Sequence, residues 1–399
     1  MKLFEIENEE KIGEETEEDL KPRKKEKFAE AVLWATDWTT ETIISQLKKG
    51  NIELSPSFQR RDAWGKDRKS RFIESIILGL PIPQIILAER KDRKGSYIVI
   101  DGKQRLLSIR QFCAEPENDA FIPMPLEHLN ILTEIENKTF AAIRDNNHTN
   151  SLITAFENQS IRTVIIKNWP NQEFLYTVFL RLNSGSLPLS PQELRQALNP
   201  GKFIDFADSF SVESPGIKKV LGIEKPDYRM RDTEIVVRFF AYKNFIDKYN
   251  GNLKDFLDGT CENLNNSWKK DEKKIKNQAM ELENAITATF EIFGEKDAFS
   301  KYSKDSFSGI FNRPIYDVMT FYFSDATIRA KALEKKEIVK KSFISISKAD
   351  PDFNRSVESS TKSIENTAKR FSTWGHKLKK ELGLNFLVPT RAEVGIKSV

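Results

Sequence analysis

Apolar runs of strand length and amphipathic stretches of helix length alternate through the first half of the chain. Residues 84–88 and 97–101 are short apolar runs, and the polar segment 89–96 between them contains a glycine. This pattern predicts a β-hairpin, and a further strand is predicted over 162–167. Because strands, turns and helices follow one another here, a domain of mixed α and β structure is expected.

Helix signals surround these strands. Thr39 and Thr40 suit the start of a short amphipathic helix, and Gly50 suits its end in a left-handed conformation. Residues 113–160 hold prolines and an asparagine-rich tract, which favour loops between short helices. Further helices are predicted over 66–79, after Arg105 and over 172–182.

The second half of the chain has a helical pattern. From residue 230 onward apolar residues recur with helical spacing almost throughout, which predicts a helical bundle. The first 28 residues are dense in Glu and then in Lys, so they cannot bury enough apolar surface to fold alone. We therefore predict a flexible charged leader at 1–28, an α+β or α/β domain at 29–200 and a mainly α-helical domain at 201–399.

Composition narrows the class of protein. The chain has 399 residues and a formal net charge of +4, which permits phosphate ligands without marking a nucleic-acid binder. Its two cysteines, Cys113 and Cys261, lack metal-type spacing, so neither a disulfide framework nor a zinc site is indicated. No apolar stretch reaches the roughly 20 residues that span a bilayer. A cytoplasmic protein without membrane contact is expected.

The strongest chemical signal follows the strand predicted at 97–101. This strand ends in Asp101, and Gly102 makes a turn that opens a helix beginning with Lys103, Gln104 and Arg105. The first N–H groups of a helix are unpaired and carry partial positive charge, so an anion is stabilised there. Lys103 and Arg105 add charged donors that suit a phosphate. The structural alternative is that Asp101 merely caps the helix.

A second candidate segment is 56–64, where Gln59 and Arg60 lie between Phe58 and Trp64. Aromatic and basic residues interleaved in this way can stack on a base and hold a phosphate. The alternative is that Phe58 and Trp64 simply anchor the loop in the core.

A third candidate segment follows the helix predicted at 172–182. Asn183 and Ser184 could line a phosphate or sugar, with Arg195 behind them. Ser190 and Glu193 also have the spacing of a capping box, with a proline at the first helical position. This capping role competes with any direct ligand role for Glu193.

Together these motifs resemble a known family, the GmrS- and SspE-type ParB-like domain, long catalogued as a domain of unknown function. The resemblance covers about residues 50–200 and continues more weakly into the helical half. The matching positions are Pro56, Phe58, Gln59, Arg60, Trp64, 73–76, 79–83, 100–106, 183–189 and 193–195.

The resemblance implies a fold related to ParB and sulfiredoxin, with an Asp-Gly-Gln-Arg-type motif that binds and hydrolyses a nucleoside triphosphate. Carried onto this chain, the motif comprises Asp101, Gly102, Gln104 and Arg105, and Lys103 stands where the family usually has Gln. Mg²⁺ is the implied cofactor, with Asp101 as its ligand, and GTP, ATP or CTP the implied nucleotide. Gln59, Arg60, Lys103, Asn183, Ser184 and Arg195 are the expected nucleotide-binding residues.

The family acts in bacterial defence against phage, often on modified DNA and with a His-Asn-His nuclease domain. This chain has only His128, His148 and His376, and the tract around His148 is a superficial echo of that nuclease motif. A Walker A loop is absent from the sequence. We expect a sensor or regulatory subunit that binds DNA and works with a separate nuclease subunit, and a homo-oligomer is left open. The alternatives are a non-catalytic DNA-binding module and a nuclease activity of the ParB-like domain itself.

Overall fold

The computed structural model describes residues 14–15, 31–52, 54, 61–115, 117, 119–182, 190–393 and 395–398. The described residues form two compact units. One extends from residue 31 to Leu198, and the other comprises Glu14, Glu15 and the residues from Asn199 onward.

The first unit has mixed α and β structure. Its strands are β1 Val32–Thr39, β2 Ile85–Glu89, β3 Tyr97–Asp101 and β4 Ser160–Lys167. Its α-helices are α1 Thr40–Lys48, α2 Lys66–Ile77, α3 Lys103–Phe112, α4 Phe140–Arg144, α5 Asn150–Asn158, α6 Gln172–Leu182 and α7 Pro191–Leu198, with a short 3-10 helix at Thr133–Ile135.

The four strands form one mixed sheet in the order β1-β4-β2-β3. Strand β4 runs antiparallel to β1 and parallel to β2, and β2 and β3 form an antiparallel hairpin in which Glu89 pairs with Tyr97. Strand β3 therefore lies at one end of the sheet order, and Asp101 is its last residue. Both helices α6 and α7 contact β3.

Helices cover both faces of the sheet. Ile85 and Leu87 of β2 belong to a core shared with α1, α2, α3 and α5, whereas Ile86 and Ala88 belong to a second core shared with α6 and α7. Successive side chains of a strand point to opposite faces, so a strand buried on both sides is apolar at every position. This explains the continuous apolar runs in the sequence.

The predicted mixed α/β unit and its main elements are confirmed. The hairpin lies at β2 and β3, and α6 has the predicted bounds. Helix α1 is capped by Thr39, whose side chain accepts from the Thr42 N–H, and Gly50 has a positive φ of 68° just beyond it. Helix α2 ends at Ile77, slightly before the predicted end.

Strand β1 was not predicted. Its side chains are largely exposed, since it lies at the end of the sheet order and β4 is its only partner among the described strands. An exposed edge strand lacks the regular apolar period that marks a half-buried strand, so its sequence gives no strand signal. Its pairing with β4 joins segments that are far apart in the chain.

The second unit is mainly helical, as predicted, and it also contains short two-stranded sheets. None of its described helices combines the length and apolarity needed to cross a bilayer. Its α-helices are α8 Lys202–Glu213, α9 Pro215–Leu221, α10 Arg231–Phe245, α11 Leu253–Phe293, α12 Arg313–Phe323, α13 Ala326–Glu334, α14 Lys336–Ala349, α15 Pro351–Glu358 and α16 Ile364–Leu382, with a 3-10 helix at Ile246–Lys248. Its strands are β5 Ser300–Ser303, β6 Ser306–Phe311, β7 Pro389–Arg391 and β8 Ile396–Ser398.

A buried ionic network crosses the core of the helical unit. Arg238 donates to both carboxylate oxygens of Asp317, at 3.0 and 2.5 Å, and Arg370 lies 3.7 Å from the same carboxylate. Burial works against the charge of Arg238, but Asp317 outweighs it and raises the pKa of this guanidinium above its ordinary value. Arg313 adds a second pair by donating to Glu234 at 3.2 Å.

Two residues of the predicted leader lie in this unit. The carboxylate of Glu14 is 3.6 Å from Arg313, and Lys362 donates to the Glu14 carbonyl oxygen at 3.1 Å. Glu15 is buried. Burial raises the pKa of the Glu14 carboxyl group despite the nearby arginines. The remaining leader residues lie outside the described residues.

We predict that Asp317→Asn lowers the free energy of unfolding by roughly 3–5 kcal/mol, because it leaves the guanidiniums of Arg238 and Arg370 buried without their shared counter-charge. Urea denaturation of the purified chain measures this. Glu272→Gln is the control, since the exposed Lys276–Glu272 pair on α11 is worth under about 1 kcal/mol. Equal losses in the two variants would contradict the prediction.

Candidate functional site

The turn between β3 and α3 has a conformation that favours glycine. Gly102 has a φ of 97° and a ψ of 13°, in the left-handed region, and α3 begins at the next residue. Gly102 is the N-cap residue of α3 and has no side chain that could cap the helix. The alternative in which Asp101 caps α3 is therefore wrong, because the Asp101 carboxylate is bound elsewhere.

That carboxylate accepts a hydrogen bond from Arg105. The distance from Arg105 Nη2 to Asp101 Oδ2 is 2.7 Å, and both side chains are largely buried. Arg105 Nε is buried too, yet it has no hydrogen-bond partner, and the same holds for Oε1 of Gln104. A buried polar atom without a partner costs roughly 1–3 kcal/mol. The turn therefore contains one unused donor and one unused acceptor on adjacent residues.

A buried ion pair holds the start of α3 against the start of α7. Lys103 Nζ lies 2.5 Å from Glu193 Oε1, and each side chain is only 7% exposed. The other oxygen of Glu193 accepts from the Ser190 N–H at 2.7 Å, and the Ser190 hydroxyl accepts from the Glu193 N–H at 3.1 Å. The predicted capping box is thus confirmed. Glu193 both completes this capping box and forms the ion pair with Lys103.

Helix α7 contributes further polar atoms without partners. Arg195 is fully buried and donates to Oε1 of Gln192 at 2.7 Å. Nε2 of Gln192 and Oε1 of Gln196 are buried and have no hydrogen-bond partner. Of the seven such buried side-chain atoms in the described part of the chain, four belong to α3 and α7. These are the two helices that the Lys103–Glu193 pair joins.

The structure brings some of the predicted site residues together, whereas others lie outside the described residues. Asp101, Gly102, Gln104 and Arg105 form one turn, and Lys103 is linked through Glu193 to the helix that carries Arg195. Gln59, Arg60, Asn183 and Ser184 lie outside the described residues.

Gln192 and Gln196 are not among the site residues predicted from the sequence. Both are buried although glutamine is mostly exposed in proteins, and each leaves an amide atom without a partner. Their spacing of four places them on one face of α7. This spacing is the only feature of the sequence that could have pointed to the two glutamines. It does not single them out, because polar residues on an exposed helix face have the same spacing.

Asp101 is the only residue of the 101–105 turn whose carboxylate could bind a metal ion. No group of three or more His, Cys, Asp or Glu residues that could hold a metal ion occurs among the described residues. Mg²⁺ in phosphoryl-transfer sites is commonly held by one or two carboxylates together with the substrate's phosphates and water. The partly exposed Asp101 carboxylate fits the role of a single protein ligand of that kind.

The fold and the turn define an α/β unit in which a helix begins after a glycine N-cap, beside buried polar atoms without hydrogen-bond partners. Residues 40–199 match the family model of the N-terminal domain of GmrSD restriction endonucleases. The match includes every predicted site residue and ends next to Leu198, the last residue of the first unit. It supports the predicted similarity to GmrSD-type proteins. Neither curated proteins nor solved structures gave a significant match.

We predict that Gly102→Ala destabilises the α/β unit and disturbs the turn. A Cβ at this position would lie 3.2 Å from Ile85 Cγ1 and 3.3 Å from Arg105 Nε, in addition to roughly 1–2 kcal/mol of left-handed backbone strain. Gly95→Ala is the matched control, because Gly95 also has a positive φ, of 76°, and a Cβ added there would have no atom within 4 Å. Denaturation curves should show a larger loss in the free energy of unfolding for Gly102→Ala than for Gly95→Ala. Equal losses would show that the contacts with Ile85 and Arg105 do not crowd the added Cβ.

Proposed function

We propose that the chain is a component of a DNA restriction system directed against phage, and that its α/β unit binds and hydrolyses a nucleoside triphosphate at the Gly102 turn. The similarity of residues 40–199 to the N-terminal domain of GmrSD restriction endonucleases supports the first part. The second part is carried by one observation, the buried polar atoms of Gln104 and Arg105 that have no hydrogen-bond partner in the first turn of α3.

The turn offers the groups that phosphoryl transfer needs. Backbone N–H groups at the start of α3 face outward along the helix axis and favour an anion. Nε of Arg105 is a buried donor without a hydrogen-bond partner, and in this proposal it donates to phosphate oxygens while Nη2 remains bound to Asp101. Preorganised donors of this kind stabilise the charge that develops on the transferred phosphoryl group.

Gln104 is suited to position the attacking water molecule. Its unused Oε1 atom is an acceptor, and a water molecule that donates to it would be held with its lone pair free to attack phosphorus. The water oxygen forms a bond to the γ-phosphorus while the bond to the bridging oxygen breaks and a water proton passes to a phosphate oxygen, which yields a nucleoside diphosphate and inorganic phosphate. Mg²⁺, held by Asp101 and the phosphates, would supply further neutralisation of charge.

Lys103 and Arg195 have supporting roles in this proposal. Lys103 is already bound to Glu193, so we assign it to positioning α3 against α7 instead of to direct phosphate contact. Arg195 is fully buried and orients Gln192. Gln59, Arg60, Asn183 and Ser184 remain predicted nucleotide ligands. DNA and a separate nuclease subunit remain the proposed partners.

We expect Arg105→Gln to lower triphosphate turnover by roughly 100- to 1,000-fold, the usual effect of removing one donor to a developing charge. Asp101→Asn should also lower turnover, because it removes the charge of the proposed Mg²⁺ ligand and of the group that accepts from Arg105. Phosphate release by the purified full chain is measured with ATP, GTP, CTP and UTP in the presence of Mg²⁺. Chelation of Mg²⁺ should abolish turnover in the unsubstituted chain.

Arg110→Gln provides the matched control. Arg110 lies on the same helix and forms a similarly buried pair with Asp119, at 2.5 Å, but away from the turn. It should leave turnover within about twofold of normal. Equal turnover in Arg105→Gln, Asp101→Asn and the unsubstituted chain would exclude the turn as the hydrolytic site. Salt-dependent DNA binding without turnover would instead favour a non-catalytic DNA-binding module.

A further inference from the structure

A cavity in the α/β unit lies at the start of α2 and has no assigned role. Its volume is about 630 Å³, within the range of small-molecule sites. It is lined by Trp64, the first turn of α2, the C-terminal end of α3 and the segment 120–125. Residues 101–105 are not part of its lining, so it is separate from the turn described above.

The cavity has a polar group of three side chains. Lys69 is only 4% exposed, its ammonium group pairs with the Asp62 carboxylate, and it donates to Oε1 of Gln111 at 2.6 Å. Burial lowers the pKa of Lys69 to about 8, which indicates poor hydration. No described residue binds the Nε2 group of Gln111, so this amide keeps its donors.

The rest of the lining is largely apolar. Trp64 contributes an indole ring, and Pro123, Met124 and Pro125 add apolar surface. The Arg68 guanidinium lies 4.4 Å from the centre of the Trp64 ring, and Phe72 contacts the ring edge to face at 5.7 Å. Trp64 is thus partly buried and packs against the core, as the structural alternative predicted for it, while it still borders the cavity. Phe58, the other residue of that alternative, lies outside the described residues.

We propose that this cavity binds a nucleobase. A base offers a flat aromatic face for Trp64. Its edge carries both donors and acceptors, which suit the Asp62 carboxylate and the Gln111 amide. A phosphate fits less well, because Asp62 already neutralises Lys69 and would repel a second anion. A purely apolar ligand would leave the Gln111 amide buried without a partner.

The base could come from a free nucleotide or from an unpaired position in a DNA strand, since both present the same ring. The inference stands apart from the proposed hydrolysis, because base binding requires no turnover. If triphosphate hydrolysis is not found, base binding can still be tested by its own measurement, and the reverse also holds.

Calorimetric titration of the full chain with the four nucleoside monophosphates and with short single-stranded oligonucleotides tests the proposal. Saturable binding of monophosphates identifies free nucleotides as a source, and binding of oligonucleotides alone identifies a strand. Either result supports a nucleobase site if the variants below weaken it. No saturable binding of any of these probes would overturn the proposal.

Trp64→Leu should weaken binding roughly 5- to 150-fold through lost stacking. Trp34→Leu is its control, because Trp34 lies on the edge strand β1 and is 50% exposed. Gln111→Glu keeps the oxygen that accepts from Lys69 but removes the amide donor, so it should weaken binding without loss of the fold. Unchanged affinity in Gln111→Glu would overturn the proposal even if Trp64→Leu fails to fold.

Discussion

The buried Lys103–Glu193 ion pair is the interaction on which the candidate site depends. An ammonium and a carboxylate withdrawn from water lose several kcal/mol of hydration each, so such a pair persists only with good geometry and further hydrogen bonds. Glu193 has these, because its second oxygen accepts from the Ser190 N–H that begins α7. One carboxylate thus completes a helix cap and ties that helix to the start of α3. The Gly102 turn is held in place by this arrangement.

This rigidity explains how unused polar atoms persist beside the turn. Gln104, Arg105, Gln192 and Gln196 each leave one buried atom without a hydrogen-bond partner, at roughly 1–3 kcal/mol per group. Native proteins have few such groups, and their concentration on two joined helices is the pattern expected where a ligand completes the hydrogen bonding. In the helical unit, Arg238 and Asp317 satisfy each other through two hydrogen bonds and support the fold. Two buried atoms of that unit, Arg370 Nε and Trp374 Nε1, also have no hydrogen-bond partner.

Helix α3 connects the two polar regions of the α/β unit. Gly102 lies at its start and Gln111 near its end, about 13 Å apart along an α-helix. Its apolar residues Leu106, Ile109 and Phe112 are buried in the core against the sheet. A packed helix of this kind moves as a rigid body, so it fixes the spacing of both regions. The proposed hydrolytic turn and the proposed base cavity would then be two sites on the same helix.

Local pattern in the sequence determined the elements and the turn. The hairpin, α1, α6, the Gly102 turn and the Ser190–Glu193 capping box follow from periodicity, glycine and capping residues, which act over a few positions. Tertiary structure alone decided which distant residues meet: Lys103 with Glu193 across 90 positions, Lys69 with Gln111 across 42 and Arg238 with Asp317 across 79. Exposed and buried charges look alike in a sequence, since burial depends on how elements pack. For the same reason the sequence could not tell that Asp101 binds Arg105 instead of capping α3.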